Sequence, residues 1–294
     1  MNIIWLDTLP GRDPLQVGGK AAQLGRLAAQ YPVPPGFCLE AAQRTEQILS
    51  PVLHAQLSTA YRHLATRCRL NQPAVAVRSS AVDEDGQQTS FAGQHDSYLN
   101  VRGTPAVAEA VRRCWASALT ERAVHYRQRH GLSSESGVAV LVQQLIMADV
   151  SAVVFSADPR TGDTDQIVIN ATWGLGESLV GGSVTPDLYL VRKRDLKIVE
   201  RQVSAKLYMT VAGTDGTREV AVPRGLQTES TLRDDQIVAL ARLARALELN
   251  QGWPVDVECA YQDEQVYLLQ CRPITTLFLS AASALQGTSP HSAG

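Results

Sequence analysis

The sequence has almost no excess of charge of either sign: 27 Lys and Arg stand against 29 Asp and Glu in 294 residues, a formal net charge of −2. Without a basic field, the chain has no general attraction for nucleic acid or for an anionic membrane surface. It also lacks any uninterrupted run of about 18 apolar residues, the length that a membrane-spanning helix needs. The opening MNIIWLDTLPGRD has neither the basic start nor the apolar stretch of a secretory signal. Together these absences give the expectation of a soluble, cytoplasmic protein with no nucleic-acid or membrane partner. Cysteine is sparse and unpatterned. Cys38, Cys68, Cys114, Cys259 and Cys271 form an odd, dispersed set without CxxC spacing, which argues against a disulfide framework or a structural zinc site. A Walker A loop is missing too, because Gly11 lies too far from Gly19 and Ala21 follows Lys20 where Ser or Thr is required.

What is present is an alternation of two hydrophobic periods. The chain is long enough for one large α/β domain or two lobes with a substantial core. Helical spacing joins Val17, Ala21, Leu24, Leu27 and Ala28, and again Val107, Val111, Cys114, Trp115 and Ala118. A third helix is predicted from Asp234 to Leu249, with Ile237, Leu240, Ala241, Ala244 and Leu247 on its apolar face. Strands are predicted over 74–77, 138–143, 150–155, 167–171 and 188–191, followed by a hairpin from Val255 to Gln270. This is an α/β or α+β pattern with hairpins in its C-terminal half. Glycine and proline cluster at PVPPGF, DPRTGD and WGLGESLVGGSVTPD, which read as loops around a site. The last segment, SAASALQGTSPHSAG, has small polar residues and no period, and is expected to be a frayed tail.

Chemistry concentrates in VDVECAYQDEQVYLLQCRP. Residues two apart on a strand share a face, so Asp256 pairs with Glu258 and Gln270 with Arg272. A hairpin turning around Gln262, Asp263 and Glu264 sets position 256 roughly opposite 270 and brings both pairs to one face. Hard oxygen ligands suit Mg²⁺ and a guanidinium suits phosphate, so the patch fits a metal–nucleotide site. It fits the solvated face of an ordinary hairpin equally well, and the segment alone leaves both open. In VGGKAAQLGRLA, Gly18 and Gly19 precede Lys20 at a predicted helix start, which is either an anion seat or a plain structural turn. In AVAVRSSAVDEDGQQTSFAGQHDSYLNV the strand is expected to end at Arg78, Ser79 and Ser80, a grip for phosphate beneath a polar loop. The acidic run Asp83, Glu84 and Asp85 reads as solvated loop, and His95 as a surface residue.

These segments occur in an order that resembles the ATP-binding domain of the pyruvate phosphate dikinase and phosphoenolpyruvate synthase family, a domain also seen in rifampicin phosphotransferase. The resemblance runs from about Val17 to Thr276. It implies an α+β, two-lobed ATP-grasp-type fold holding ATP and Mg²⁺, with an antiparallel sheet in the C-terminal lobe. Residues 1–190 would form the N-terminal lobe with its phosphate-covering loop, 191–278 the C-terminal lobe with the metal-binding hairpin, and 279–294 the tail. The family's lysine and arginine fall on Lys20 and Arg78, and the phosphate-contacting loop positions on Gly93 and Ser97, where relatives often carry Thr. The glutamine near adenine falls on Gln143, with Gln144 beside it. Glu258 and Gln270 match the Mg²⁺ ligands, and Arg272 matches a phosphate contact. Lys20, Arg78 and Arg272 are thus the expected catalytic cations of a phosphoryl transfer, which positioning and charge neutralisation drive.

Departures from the pattern bear on function. His54, His63, His95, His125, His130 and His291 all lie outside any T-x-H-A segment, the mark of the mobile phosphohistidine domain. The spacer between PPGF and AVRSS is short. Ala152 stands where Gly is typical and Cys259 where an aromatic is common. The expectation is therefore an Mg-ATP-dependent phosphotransferase component that passes phosphate to a separate phosphohistidine carrier or other acceptor. A self-contained small-molecule kinase or ATP-grasp ligase is the alternative, and a non-catalytic nucleotide-binding module the third reading. Retention of every ATP and Mg²⁺ position argues against the last.

Overall fold

Two runs of apolar strands, on either side of the short connection 145–149, build two antiparallel sheets. The computed structural model describes residues 2–42, 49–81, 97–117 and 138–277. The first sheet takes β1 (Ile3–Trp5), β2 (Gly36–Ala42), β3 (Val75–Ala81), β4 (Ser97–Val101) and β5 (Val138–Gln144) in the order β1-β2-β5-β3-β4. The second takes β6 (Val150–Phe155), β7 (Gln166–Trp173), β8 (Asp187–Arg192), β9 (Lys197–Gln202), β12 (Val255–Gln262) and β13 (Gln265–Pro273) in the order β13-β12-β6-β7-β8-β9. A small separate hairpin joins β10 (Tyr208–Ala212) to β11 (Thr217–Ala221). The antiparallel α+β expectation agrees with this architecture. The change of sheet falls between Gln144 and Val150, whereas the expected boundary at residue 190 lies inside β8, because β6 pairs with β12 of the C-terminal hairpin and β7 and β8 extend the same sheet.

Each sheet is covered by helices whose apolar stripe the sequence supplies. Helices α2 (Pro51–Cys68) and α3 (Thr104–Ser117) lay Leu53, Leu57, Leu64, Val107 and Val111 on the first sheet. The short helix α4 (Glu177–Val180) follows β7, and α5 (Asp234–Gln251) packs Ile237, Leu240, Ala244 and Leu247 against the second sheet. Helix α1 (Pro14–Leu27) lies at the junction, sharing one core with Cys38 and Leu141 of the first sheet and Val257 and Cys271 of the second. The sequence reading passed over α2, although Leu53, Leu57, Ala60 and Leu64 carry helical spacing. It also passed over β10 and β11, whose mostly exposed residues leave no apolar alternation to read. Strand β3 continues to Ala81 instead of ending at Arg78, because Ser79, Ser80 and Ala81 stay paired to β5. Gly93, His95 and the predicted tail lie outside the described residues.

One buried ion pair ties the second sheet to the segments after it. Asp187 Oδ1 accepts from Lys206 Nζ at 2.7 Å and from the Ser204 N–H at 2.9 Å. Its Oδ2 accepts from the Thr231 N–H at 2.8 Å, Thr231 Oγ1 at 2.9 Å and the Tyr189 hydroxyl at 3.1 Å. Both charged side chains are fully buried, so the pair survives only because its hydrogen bonds replace water. Lys206→Met is expected to lower stability by about 3 to 5 kcal/mol, the cost of an uncompensated buried charge. Denaturant unfolding of the variant beside the wild type measures it.

Candidate functional site

The polar side chains of β12 and β13 share a face because their hairpin is irregular. A two-residue turn, with Asp263 at φ 47° and Glu264 at φ 67°, closes it, so Gln262 pairs with Gln265 and Cys259 with Leu268. Continued regularly, that register would put Gln270 opposite Val257, a core residue. A register shift at the Glu258–Cys259 step instead leaves Leu269 without a partner and sets Glu258 opposite Gln270, Val257 opposite Cys271 and Asp256 opposite Arg272. Directly opposed residues lie on one face, so the bulge turns Cys271 into the core and Gln270 and Arg272 toward Glu258 and Asp256. The expected pairing of 256 with 270 is therefore corrected by two residues, one from the shorter turn and one from the bulge.

The bulge also meets the first sheet. Arg78, projecting from β3, donates from Nη1 to the Leu269 carbonyl at 3.4 Å and from Nη2 to Glu258 Oε2 at 3.3 Å. The Arg78–Glu258 ion pair is largely shielded, with side-chain exposures of 16% and 14%. Beside it Arg272 Nε donates to Asp256 Oδ2 at 2.8 Å. Burial pushes the Asp256 carboxyl above its usual range; Arg272 pulls it back and Glu258 adds to the rise. Among the described residues, Arg78 Nε and Asp256 Oδ1 are buried without a hydrogen-bond partner. A buried donor or acceptor without a partner is costly, and Arg78 is the one of the two residues that lines the cleft.

Helix α1 brings the next cation. Its backbone breaks at Gly18, with φ 77° and ψ 164°, so a fresh helical segment opens at Gly19 and carries Lys20 in its first turn. Glycine is required there: a Cβ would stand 2.1 Å from the Ser80 carbonyl oxygen. Ser80 Oγ accepts from the Ala21 N–H at 3.1 Å, which anchors the helix start to β3. The hydroxyls expected to grip phosphate beside Arg78 are thus used otherwise or turned away: Ser79 and Ser80 are buried and absent from the cleft lining, because they occupy paired positions of β3.

A cleft of about 550 Å³ runs between the sheets and is lined by Lys20, Arg78, Ser97, Gln143, Glu258, Gln270 and Arg272. These are all the sequence-expected site residues except Gly93, which lies outside the described residues. Gln143 is held by donating from Nε2 to the Pro34 carbonyl at 3.0 Å. The connection between the sheets contributes Leu145, Ile146 and Ala148, and the segment around α4 contributes Leu175, Gly176, Glu177 and Leu179. Sequence reasoning flagged that glycine-rich segment as a loop near a site but missed Glu177 itself. Asp256 it saw as part of the patch; what it could not see is its pairing with Arg272. With three cations and several apolar side chains in its lining, the cleft suits a ligand with an anionic and a flat apolar part.

Residues 45–289 match the family described as pyruvate phosphate dikinase, AMP/ATP-binding domain. A probable phosphoenolpyruvate synthase of Methanocaldococcus jannaschii is 37% identical, aligning with 94% of this chain and 27% of its own length. Rifampicin phosphotransferase of Streptomyces sviceus is 39% identical across 92% of this chain and 35% of that protein. The prodigiosin synthesizing transferase PigC of Serratia marcescens is also 39% identical, over 90% of this chain and 32% of that protein. The chain spans 27 to 35% of the length of these relatives.

The bulge makes a checkable demand on the hairpin. Exchanging its neighbours, Gln270→Cys together with Cys271→Gln, leaves the composition unchanged but turns an amide into the core. The double variant is expected to lose about 1 to 3 kcal/mol, the cost of an unsatisfied buried polar group. The shift in its denaturation midpoint reads this directly.

Proposed function

Since the chain belongs to the pyruvate phosphate dikinase AMP/ATP-binding domain family, we propose that its cleft binds Mg-ATP and serves an ATP-dependent phosphotransferase, on an ATP-grasp-type fold. The observation that carries the reading is the convergence of Lys20, Arg78, Ser97, Gln143, Glu258, Gln270 and Arg272 on one cleft from six separate elements. In this reading Lys20, Arg78 and Arg272 neutralise the phosphate oxygens, and Ser97 adds a hydroxyl donor. Gln143, its amide N–H held by Pro34, keeps its oxygen for the base. The oxygen donors of the β12–β13 hairpin fit a magnesium ion. Glu258 offers a carboxylate and Gln270 an amide oxygen, both in the cleft lining, while Asp256, outside that lining, holds Arg272. Among the described residues no group of three or more His, Cys, Asp or Glu could hold a metal by itself, which suits an ion that takes its remaining ligands from phosphate and water. Such an ion, when bound, screens charge between the phosphates.

In the Arg78–Glu258 pair two opposite charges of the site satisfy each other. With Mg-ATP bound, Arg78 would be placed to hold phosphate and Glu258 to hold the ion, both charge-assisted contacts. Little covalent chemistry is asked of the protein; it aligns the nucleotide, excludes water and holds positive charge where the transferring phosphoryl group develops negative charge. We propose a cytoplasmic protein whose phosphoryl acceptor is a phosphohistidine carrier or another acceptor outside these 294 residues. The fold is shared by relatives named for phosphoenolpyruvate, rifampicin and prodigiosin chemistry, so it does not choose the acceptor. A small molecule phosphorylated directly in the cleft is the alternative.

The test is incubation with Mg²⁺ and ATP labelled separately at the β and γ phosphates, with AMP and ADP resolved over time. AMP supports dikinase-type chemistry, and ADP a simple kinase or ligase. Absence of both nucleotide binding and turnover would sink the proposal. Lys20→Ala and Glu258→Gln, which keeps a hydrogen-bonding partner for Arg78, are each expected to lose about 2 to 4 kcal/mol of transition-state stabilisation, the scale for removing one charge-stabilising contact. Nucleotide titration together with single-turnover kinetics measures both.

A further inference from the structure

The β10–β11 hairpin connects the two walls of the cleft at places no catalytic group occupies. On the first wall, β4 contributes Ser97 and Leu99 to the cleft lining, and Asn100 follows them. Asn100 is buried, with 3% exposure, and has φ 55°, a left-handed conformation that asparagine accepts more readily than most residues. Its Nδ2 donates to two carbonyls of the hairpin turn, Gly213 at 2.9 Å and Gly216 at 2.8 Å. Its Oδ1 accepts from Arg102 Nε at 3.2 Å, which fixes the amide with its donors toward the hairpin. On the second wall, Thr217 Oγ1 donates to Glu177 Oε2 at 2.5 Å, and Glu177 lines the cleft. The hairpin is itself seated against β7 and its exit: the Leu175 N–H donates to the Thr210 carbonyl at 2.8 Å, and a Cβ on Gly174 would stand 2.3 Å from that oxygen.

We infer that this hairpin is a strap that sets the width of the nucleotide cleft, with Asn100 as its positioning residue on one wall and Thr217 as the group that holds Glu177 on the other. The inference rests on the Mg-ATP reading of the cleft. Asn100 stands outside the cleft lining; it acts through the hairpin by fixing Ser97 and Leu99 relative to Glu177 and Leu175. Two hydrogen bonds from one amide define both distance and direction, which a single contact between mobile walls does not. The strap therefore contributes to affinity by sparing the ligand the cost of ordering the two walls.

Asn100→Asp is the discriminating change. It keeps the shape and the tolerance of positive φ, yet points a carboxylate at two carbonyl oxygens. Calorimetric titration with Mg²⁺ and a non-hydrolysable ATP analogue should give a Kd raised about tenfold or more, equivalent to losing both hydrogen bonds. Thr217→Val, which removes only a hydroxyl at the hairpin edge, should raise Kd about threefold, equivalent to one modest bond. If the hairpin acts as one strap, the double variant binds no more weakly than Asn100→Asp alone. Unchanged affinity in Asn100→Asp, or strictly additive losses, overturns the strap while leaving the nucleotide reading intact. Should the thermal midpoint reveal that Asn100→Asp does not fold, Thr217→Val decides, and an unchanged Kd in it overturns the strap. A wild type that takes up no analogue overturns the nucleotide reading and the strap's role with it.

Discussion

One extra residue in one strand governs the chemistry of this cleft. Strand pairing has a period of two, so inserting Leu269 opposite the Glu258–Cys259 step reverses which side chains of β13 face the core. Before the bulge Leu268 faces the core with Cys259; after it Cys271 does so with Val257, and both pairs belong to the same hydrophobic cluster. The apolar residues therefore hold the register from both sides of the bulge. Gln270 and Arg272 are delivered to the face of Glu258 and Asp256 as a consequence of core packing, and the freed Leu269 carbonyl becomes a seat for Arg78.

The charges gathered by this geometry are balanced in pairs. Arg78 answers Glu258 across the two sheets, and Arg272 answers Asp256 along the hairpin. In a shielded cleft such pairs offset the loss of water around each charge, whereas one partner alone would be expensive. Among the described residues the balance is incomplete at Arg78 Nε and Asp256 Oδ1, which are buried without a hydrogen-bond partner. Beside these pairs, the connection between the sheets, the segment around α4 and the strap from β10–β11 supply shape instead of charge.

Much of this was legible in the sequence, and the reasons differ by element. The core helices α1, α3 and α5 announce themselves because apolar residues recur with helical period, and β5, β6 and β7 because they are buried apolar runs. Helix α2 carried the same signal at Leu53, Leu57, Ala60 and Leu64 and was passed over as a spacer. The β10–β11 hairpin was invisible for a physical reason: exposed strands with mixed side chains leave no period, and only the Asp215–Gly216 turn marks them. Of the cleft lining, Lys20, Arg78, Ser97, Gln143, Glu258, Gln270 and Arg272 stand in ordered motifs, whereas the burial of Ser79 and Ser80 was not legible, because β3 runs on past Arg78.

By itself the sequence determined which residue types are available and in what local pattern: alternating carboxylates, an amide and a guanidinium two apart, and a glycine pair before a lysine. Those follow from side-chain chemistry and local period, which need no knowledge of distant neighbours. Only the tertiary structure decided that a bulge puts both halves of the hairpin on one face, that Arg78 meets Glu258 over a separation of 180 residues, and that Asn100 reaches across to Gly213 and Gly216. Register shifts and long-range pairings arise from how whole sheets share a core, and no local window of sequence contains that information.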